Sequence, residues 1–136
     1  MSPGKIREKT VAEKAALGRA MVQGMDSLPL GSLEAFLESS HVAAAAESYL
    51  RRGLEALLDL GRHLLAKGFG EAVAEYAAIA QALETRGVLP GTRGSRFRQM
   101  AGYRNRLVHF YDQIEPAELY TIVRDHRQDL LAVLEA

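Results

Sequence analysis

Residues 41–67 read HVAAAAESYLRRGLEALLDLGRHLLAK, and this stretch decides the fold. Leu50, Leu54, Leu57, Leu58, Gly61, Leu64 and Leu65 recur at three- and four-residue spacing, the period of an α-helix with one apolar face. Gly68-Phe69-Gly70 then supplies a C-terminal stop. Working outward, an earlier helix is predicted over about Pro3 to Met25, with Ile6, Leu17, Met21, Met25 and Leu28 as its inner stripe. Asp26-Ser27-Leu28-Pro29-Leu30-Gly31 ends it, because Pro and Gly both interrupt helix. Ser32 caps a short helix through Ser39, with Leu33, Phe36 and Leu37 expected to face inward.

Downstream, a helix over about Glu71 to Thr85 is closed by Arg86-Gly87, ahead of Val88-Leu89-Pro90-Gly91. The next runs from about Thr92 to Phe110, with a start made irregular by Gly91 and Gly94. Pro116 suits the first position of a last helix reaching about Leu134. Alanine and leucine dominate, and no segment alternates apolar with polar residues, so strands are not expected. The fold class is therefore all-α. The short connections predict an antiparallel bundle of four to five helices, forming a single domain over residues 1–136.

Composition narrows the chemistry. The absence of cysteine excludes disulfides and thiolate metal sites. The opening Met-Ser-Pro-Gly-Lys-Ile-Arg-Glu-Lys lacks the apolar run of a signal peptide. No stretch approaches the ~20 apolar residues of a membrane span, so a soluble cytoplasmic protein with no membrane partner is expected. The formal net charge is zero, whereas a dedicated duplex-DNA binder usually carries a basic excess. Between Arg93 and Arg106, however, stand five arginines and no acidic residue. Arg93, Arg96, Arg98 and Arg106 are thereby candidates for holding a phosphate backbone. The alternative is a solvated basic helix face balanced by acids elsewhere in the fold.

The same helix breaks its own pattern. Phe97, Met100, Ala101, Leu107, Val108 and Tyr111 describe an inward stripe, and Arg104 falls in the middle of it. A guanidinium there needs a partner, because an unpaired buried charge is very costly. Asp59 on the leucine-rich helix is one acid that would serve. At 100° per residue, Arg104 and Tyr111 lie on nearly one line, and Asn105 and His109 on a neighbouring line. A cation, an amide, an imidazole and a phenol thus gather on one side of the helix and its last turn. This set suits phosphodiester chemistry, although a bare Arg-x4-His spacing is a weak signal and a paired core arginine would give a similar pattern. His126 sits on the stripe of the last helix and reads as a packed or interface histidine. His63 and Asp59, four apart, lack a third ligand nearby in sequence, so a structural hydrogen bond is preferred to a metal pair.

The longer string Arg104-Asn105-x-Leu107-Val108-His109-x-Tyr111, followed by Asp112, resembles the signature of the HepT-like toxins, a branch of the HEPN superfamily. Further segments are similar to the family in the same order. They are the Met1-Ser-Pro start, Ser32-Leu-Glu-Ala-Phe-Leu37, the leucine-rich Glu55 to Leu65, Gly87-Val-Leu-Pro90, Arg98 to Asn105, and Pro116 to Tyr120. The resemblance implies a helical bundle that forms a homodimer, with two copies of the motif across a cleft. It implies a metal-independent endoribonuclease that needs no cofactor, with Arg104, Asn105, His109 and Tyr111 as the catalytic set. It also implies a partner antitoxin, an MNT-type nucleotidyltransferase that adds AMP to Tyr111. The competing expectation is a non-catalytic helical module that binds a nucleotidyltransferase or a nucleotide. The complete set of four favours the enzyme.

Overall fold

A computed structural model of the chain describes residues 8–70, 76–87, 92–109 and 114–134. They form six helices: α1 (Glu8–Asp26), α2 (Leu33–Leu37), α3 (Ser40–Gly68), α4 (Tyr76–Thr85), α5 (Thr92–His109) and α6 (Pro116–Leu134). Among the described residues there is no strand. Five of these are the long members expected of the bundle, and the one-turn α2 is the short helix expected from the Ser32 cap.

The leucine-rich helix is the axis. α3 runs for 29 residues, roughly 44 Å at the helical rise, and packs against all five of the others. Its N-terminus is fixed by Ser39, whose hydroxyl accepts from the His41 N–H at 3.2 Å. Its C-terminus closes where the Phe69 N–H donates to the Leu65 carbonyl at 3.1 Å. Gly70 follows with φ of 65°, the left-handed conformation that lets a glycine end a helix. Leu50, Leu54, Leu57, Leu58 and Leu65 are all buried, with Leu64 at the edge of the stripe.

Two glycines set how closely the neighbours approach. A Cβ on Gly61 would lie 2.9 Å from Leu83 Cδ1 and 3.1 Å from Ile79 Cγ2, both on α4, and 3.4 Å from Phe97 Cζ on α5. A Cβ on Gly24 of α1 would meet the Tyr49 ring at 2.5–2.7 Å. The predicted stripe of α1 is buried at Met21 and Met25, joined by Ala15, Gly18 and Val22. Ile6 lies outside the described residues.

The loop after α1 is tied down from α6. The Tyr120 hydroxyl donates to the Leu30 carbonyl at 2.9 Å, and its ring packs on Phe36 with centroids 5.2 Å apart. Ser32 caps α2 as predicted, accepting from the Ala35 N–H at 3.1 Å. The inward face expected of α2 needs correction. Phe36 is wholly buried, but Leu33 and Leu37 are 38% and 48% exposed. One helical turn offers a single inward direction, and Phe36 takes it. Leu33 stands about 60° away around the axis and Leu37 about 100°, in the same order as their exposure. α5 runs as a helix from Thr92, and Gly94 is buried within its first turn.

Candidate functional site

α5 carries Arg104, Asn105 and His109 of the motif. Arg104 lies in the middle of the helix where Phe97, Met100, Ala101 and Leu107 bury their side chains against the rest of the core. Its side chain stays one-fifth exposed at the edge of the α3–α5 contact, with Nε itself buried. The partner that the apolar stripe demanded is present: Arg104 Nε stands 3.8 Å from Glu55 Oε1 on α3. This acid lies one helical turn before Asp59, the residue that the sequence singled out. Asp59 engages its own side of α3, with Arg62 Nη1 at 3.3 Å and Lys14 Nζ of α1 at 3.9 Å.

Glu55 receives a second cation. Arg51 Nη1, one turn earlier on α3, donates to the same Oε1 at 3.2 Å. Arg51, Glu55 and Arg104 therefore form a three-member network bridging the two helices. Sequence reasoning missed Arg51 and Glu55. Their i,i+4 spacing was readable, but which acid of α3 faces Arg104 depends on the register between two helices.

Asn105 follows Arg104 and is half-buried. His109 is the last residue of α5, so the helix delivers its backbone one turn beyond Asn105. Tyr111 lies outside the described residues. Of the four motif residues, α5 thus brings three onto one rigid element.

The basic window is balanced from within the chain. Arg98 Nε lies 3.2 Å from Glu84 Oε2 on α4, and Arg98 Nη2 donates to Ser95 Oγ at 3.5 Å. Arg106 grips Glu118 of α6 with both ends of its fork, Nη1 to Oε1 and Nη2 to Oε2, the latter at 2.9 Å. This bidentate bond holds the Glu118 carboxyl below its ordinary pKa and raises that of Arg106. Arg96 also has interactions within the chain, and the side chain of Arg93 lies outside the described residues. The window thus presents less net charge than its composition suggests.

On the other side of α5, Gln99 Nε2 donates to the Tyr103 hydroxyl at 2.9 Å, and the Tyr103 ring faces His126 with centroids 5.7 Å apart. His126 is therefore packed between α5 and α6, in line with the role that its stripe position indicated. Among the described residues no three His, Asp or Glu side chains gather as a metal-ligand cluster, and no helix is long and apolar enough to cross a membrane.

The bundle superposes on solved structures over most of its length. A chain from the crystal structure of a toxin–antitoxin with AMP-PNP matches with a TM-score of 0.83 and 16% identity, over 95% of this chain and 98% of that one. The tri-AMPylated Shewanella oneidensis HEPN toxin, in complex with MNT antitoxin, also gives 0.83 and 16%, over 95% and 96%. YutE of Bacillus subtilis, a cytosolic protein of unknown function, gives 0.79 and 18%, over 96% and 87%. Identities this low establish a shared fold, and that fold is the all-α HEPN-like bundle. The chain belongs to the ribonuclease HepT-like family, whose model matches residues 22–136. Comparison with curated protein sequences gave no match.

Proposed function

We propose that the chain is a metal-independent endoribonuclease, the toxin of a two-gene toxin–antitoxin pair, with Arg104, Asn105, His109 and Tyr111 as its working residues. The observation that carries this reading is the placement of Arg104. A guanidinium is held at the edge of the core by Glu55, on the helix that ends at His109, in a chain of the ribonuclease HepT-like family.

The chemistry follows from the residue types. A base removes the proton of an RNA 2′-hydroxyl, the 2′-oxygen bonds to the adjacent phosphorus, and the bond from phosphorus to O5′ breaks. The products are a 2′,3′-cyclic phosphate and a 5′-hydroxyl. His109 serves as the proton-transfer group, since an imidazole with an ordinary pKa of about 6.5 exchanges protons near neutrality. Arg104 stabilises the charge that builds on the phosphate oxygens, for which a planar fork of donors is suited. Asn105 orients His109 or a phosphate oxygen. Tyr111 donates a hydrogen bond to the phosphate or to the leaving oxygen. One histidine per motif leaves the second proton transfer to another group, and a homodimer supplies it as the symmetry-related His109.

Regulation falls on Tyr111. An MNT-type nucleotidyltransferase would join the phenol oxygen to the α-phosphorus of ATP, with loss of the phenolic proton and departure of pyrophosphate. The added AMP brings bulk and negative charge to the cleft, and both oppose RNA. The Shewanella toxin of the same fold, AMPylated and held by its antitoxin, supports this part of the reading.

The test is cleavage of single-stranded RNA by the purified chain in EDTA. Cyclic phosphate ends are expected from wild type and not from His109→Ala. Cleavage that requires a divalent cation would overturn the mechanism. Binding to the transferase without any cleavage would favour the non-catalytic module instead.

A further inference from the structure

Two guanidinium groups from different helices meet on one oxygen. Glu55 Oε1 lies 3.2 Å from Arg51 Nη1 of α3 and 3.8 Å from Arg104 Nε of α5. The two nitrogens can therefore be no farther apart than these distances laid end to end. One carboxylate offsets one of the two cations and leaves the trio with a single positive charge. Their exposures differ in a useful way: Arg104 is the inner member at 20%, Arg51 the outer at 38%. An i,i+4 ion pair this exposed adds little to stability, so the fold does not depend on Arg51.

From this arrangement we propose that Arg51 is a second RNA-phosphate contact, set beside Arg104 by Glu55. The inference rests on the ribonuclease reading above and extends it to a residue outside the motif. Arg104 addresses the phosphate being cleaved, and Arg51, nearer to solvent, takes a neighbouring phosphate of the same strand. Glu55 acts as a positioning residue. It holds two like charges close together before RNA arrives, so that the incoming anions meet a preformed cradle. Planar forks suit this task better than ammonium groups do, because each presents paired donors to phosphate oxygens.

The experiment compares wild type, Arg51→Ala, Arg51→Gln and His109→Ala on a labelled single-stranded RNA across a salt series. Arg51→Ala should raise KM about tenfold while kcat stays within about twofold, and should flatten the salt dependence of RNA affinity by about 0.7 in log–log slope, the share of one phosphate contact. Arg51→Gln keeps a hydrogen bond to Glu55 without the charge and should show the same loss, which separates phosphate binding from local structure. Unchanged KM and salt slope in both variants, with a wild type that cleaves, would overturn the role of Arg51 and leave the ribonuclease reading standing. A wild type that neither cleaves nor binds RNA would remove that reading and this inference with it.

Discussion

Glu55 and Arg104 face each other across the α3–α5 contact, with Oε1 and Nε 3.8 Å apart and both side chains less than one-third exposed. The pair lies between the surface regime, where ion pairs contribute little, and the buried regime, where loss of one partner is severe. Glu55→Ala should therefore destabilise the fold by about 1–2 kcal/mol in urea denaturation. Adding Arg104→Met should recover most of that loss, since the cation would no longer need its carboxylate. A double variant destabilised by the full sum of the two single losses would show that the two residues do not act as a pair.

The α2 turn allows a sharper contrast. Phe36→Ala should cost about 3–5 kcal/mol, because a fully buried ring against Tyr120 is removed. Leu37→Ser should change stability by less than about 0.5 kcal/mol, because that side chain is nearly half exposed. Thermal unfolding of the two variants checks both numbers, and comparable losses would restore the inward placement of Leu37.

Much of the fold, and the motif itself, can be read directly from the sequence. The leucines of α3, the Ser32 cap, the stop at Gly70 and three of the motif residues on one helix all follow from local spacing, and local spacing is what a sequence displays directly. The features it hides are non-local. Phe36 excludes Leu33 and Leu37 because of where α3 and α6 stand. Glu55, not its neighbour one turn later, faces Arg104 because of a helix–helix register that no single segment encodes. The basic window is less free than its composition indicates, since Glu84 and Glu118 reach it from α4 and α6.

Gly24 and Tyr49 provide a test of close packing between α1 and α3. A Cβ at Gly24 would lie 2.5 Å from Tyr49 Cε1, so Gly24→Ala must displace the ring, at a cost of about 1–3 kcal/mol. The gain in helix propensity, about 1 kcal/mol, offsets only part of it. In a Tyr49→Ala background the obstacle is gone, and the same substitution should become stabilising by about 1 kcal/mol. Chemical denaturation of the four proteins measures this change of sign; the same sign in both backgrounds would mean that the ring does not limit the approach.

The bidentate Arg106–Glu118 bond predicts a pH dependence. Its carboxyl is held below the ordinary glutamate value by the hydrogen bonds from Arg106. A group with a depressed folded pKa contributes stability above its unfolded pKa, about 4.3, and loses it as pH falls through the folded value. Glu118→Gln should therefore be less stable than wild type at pH 7, and the gap between their urea midpoints should close as the solution is acidified below pH ~4. A gap that persists at pH ~2.5 would assign the difference to packing.

The proposed sharing of proton transfer between two copies of His109 makes a quantitative demand on a mixed dimer. If each motif worked alone, a heterodimer with His109→Ala in one subunit would retain about half the wild-type kcat. If one histidine accepts the 2′-proton while the other donates to the leaving oxygen, either single replacement disables the shared site. A positioned acid or base commonly contributes 10²–10⁴-fold, so the mixed dimer should fall to roughly a hundredth of wild type or below. Tandem-tagged heterodimers, purified to exclude wild-type homodimer and assayed on the same RNA, give the ratio directly. Retention of half the activity would assign the complete proton relay to a single protomer and leave the second histidine without a catalytic part.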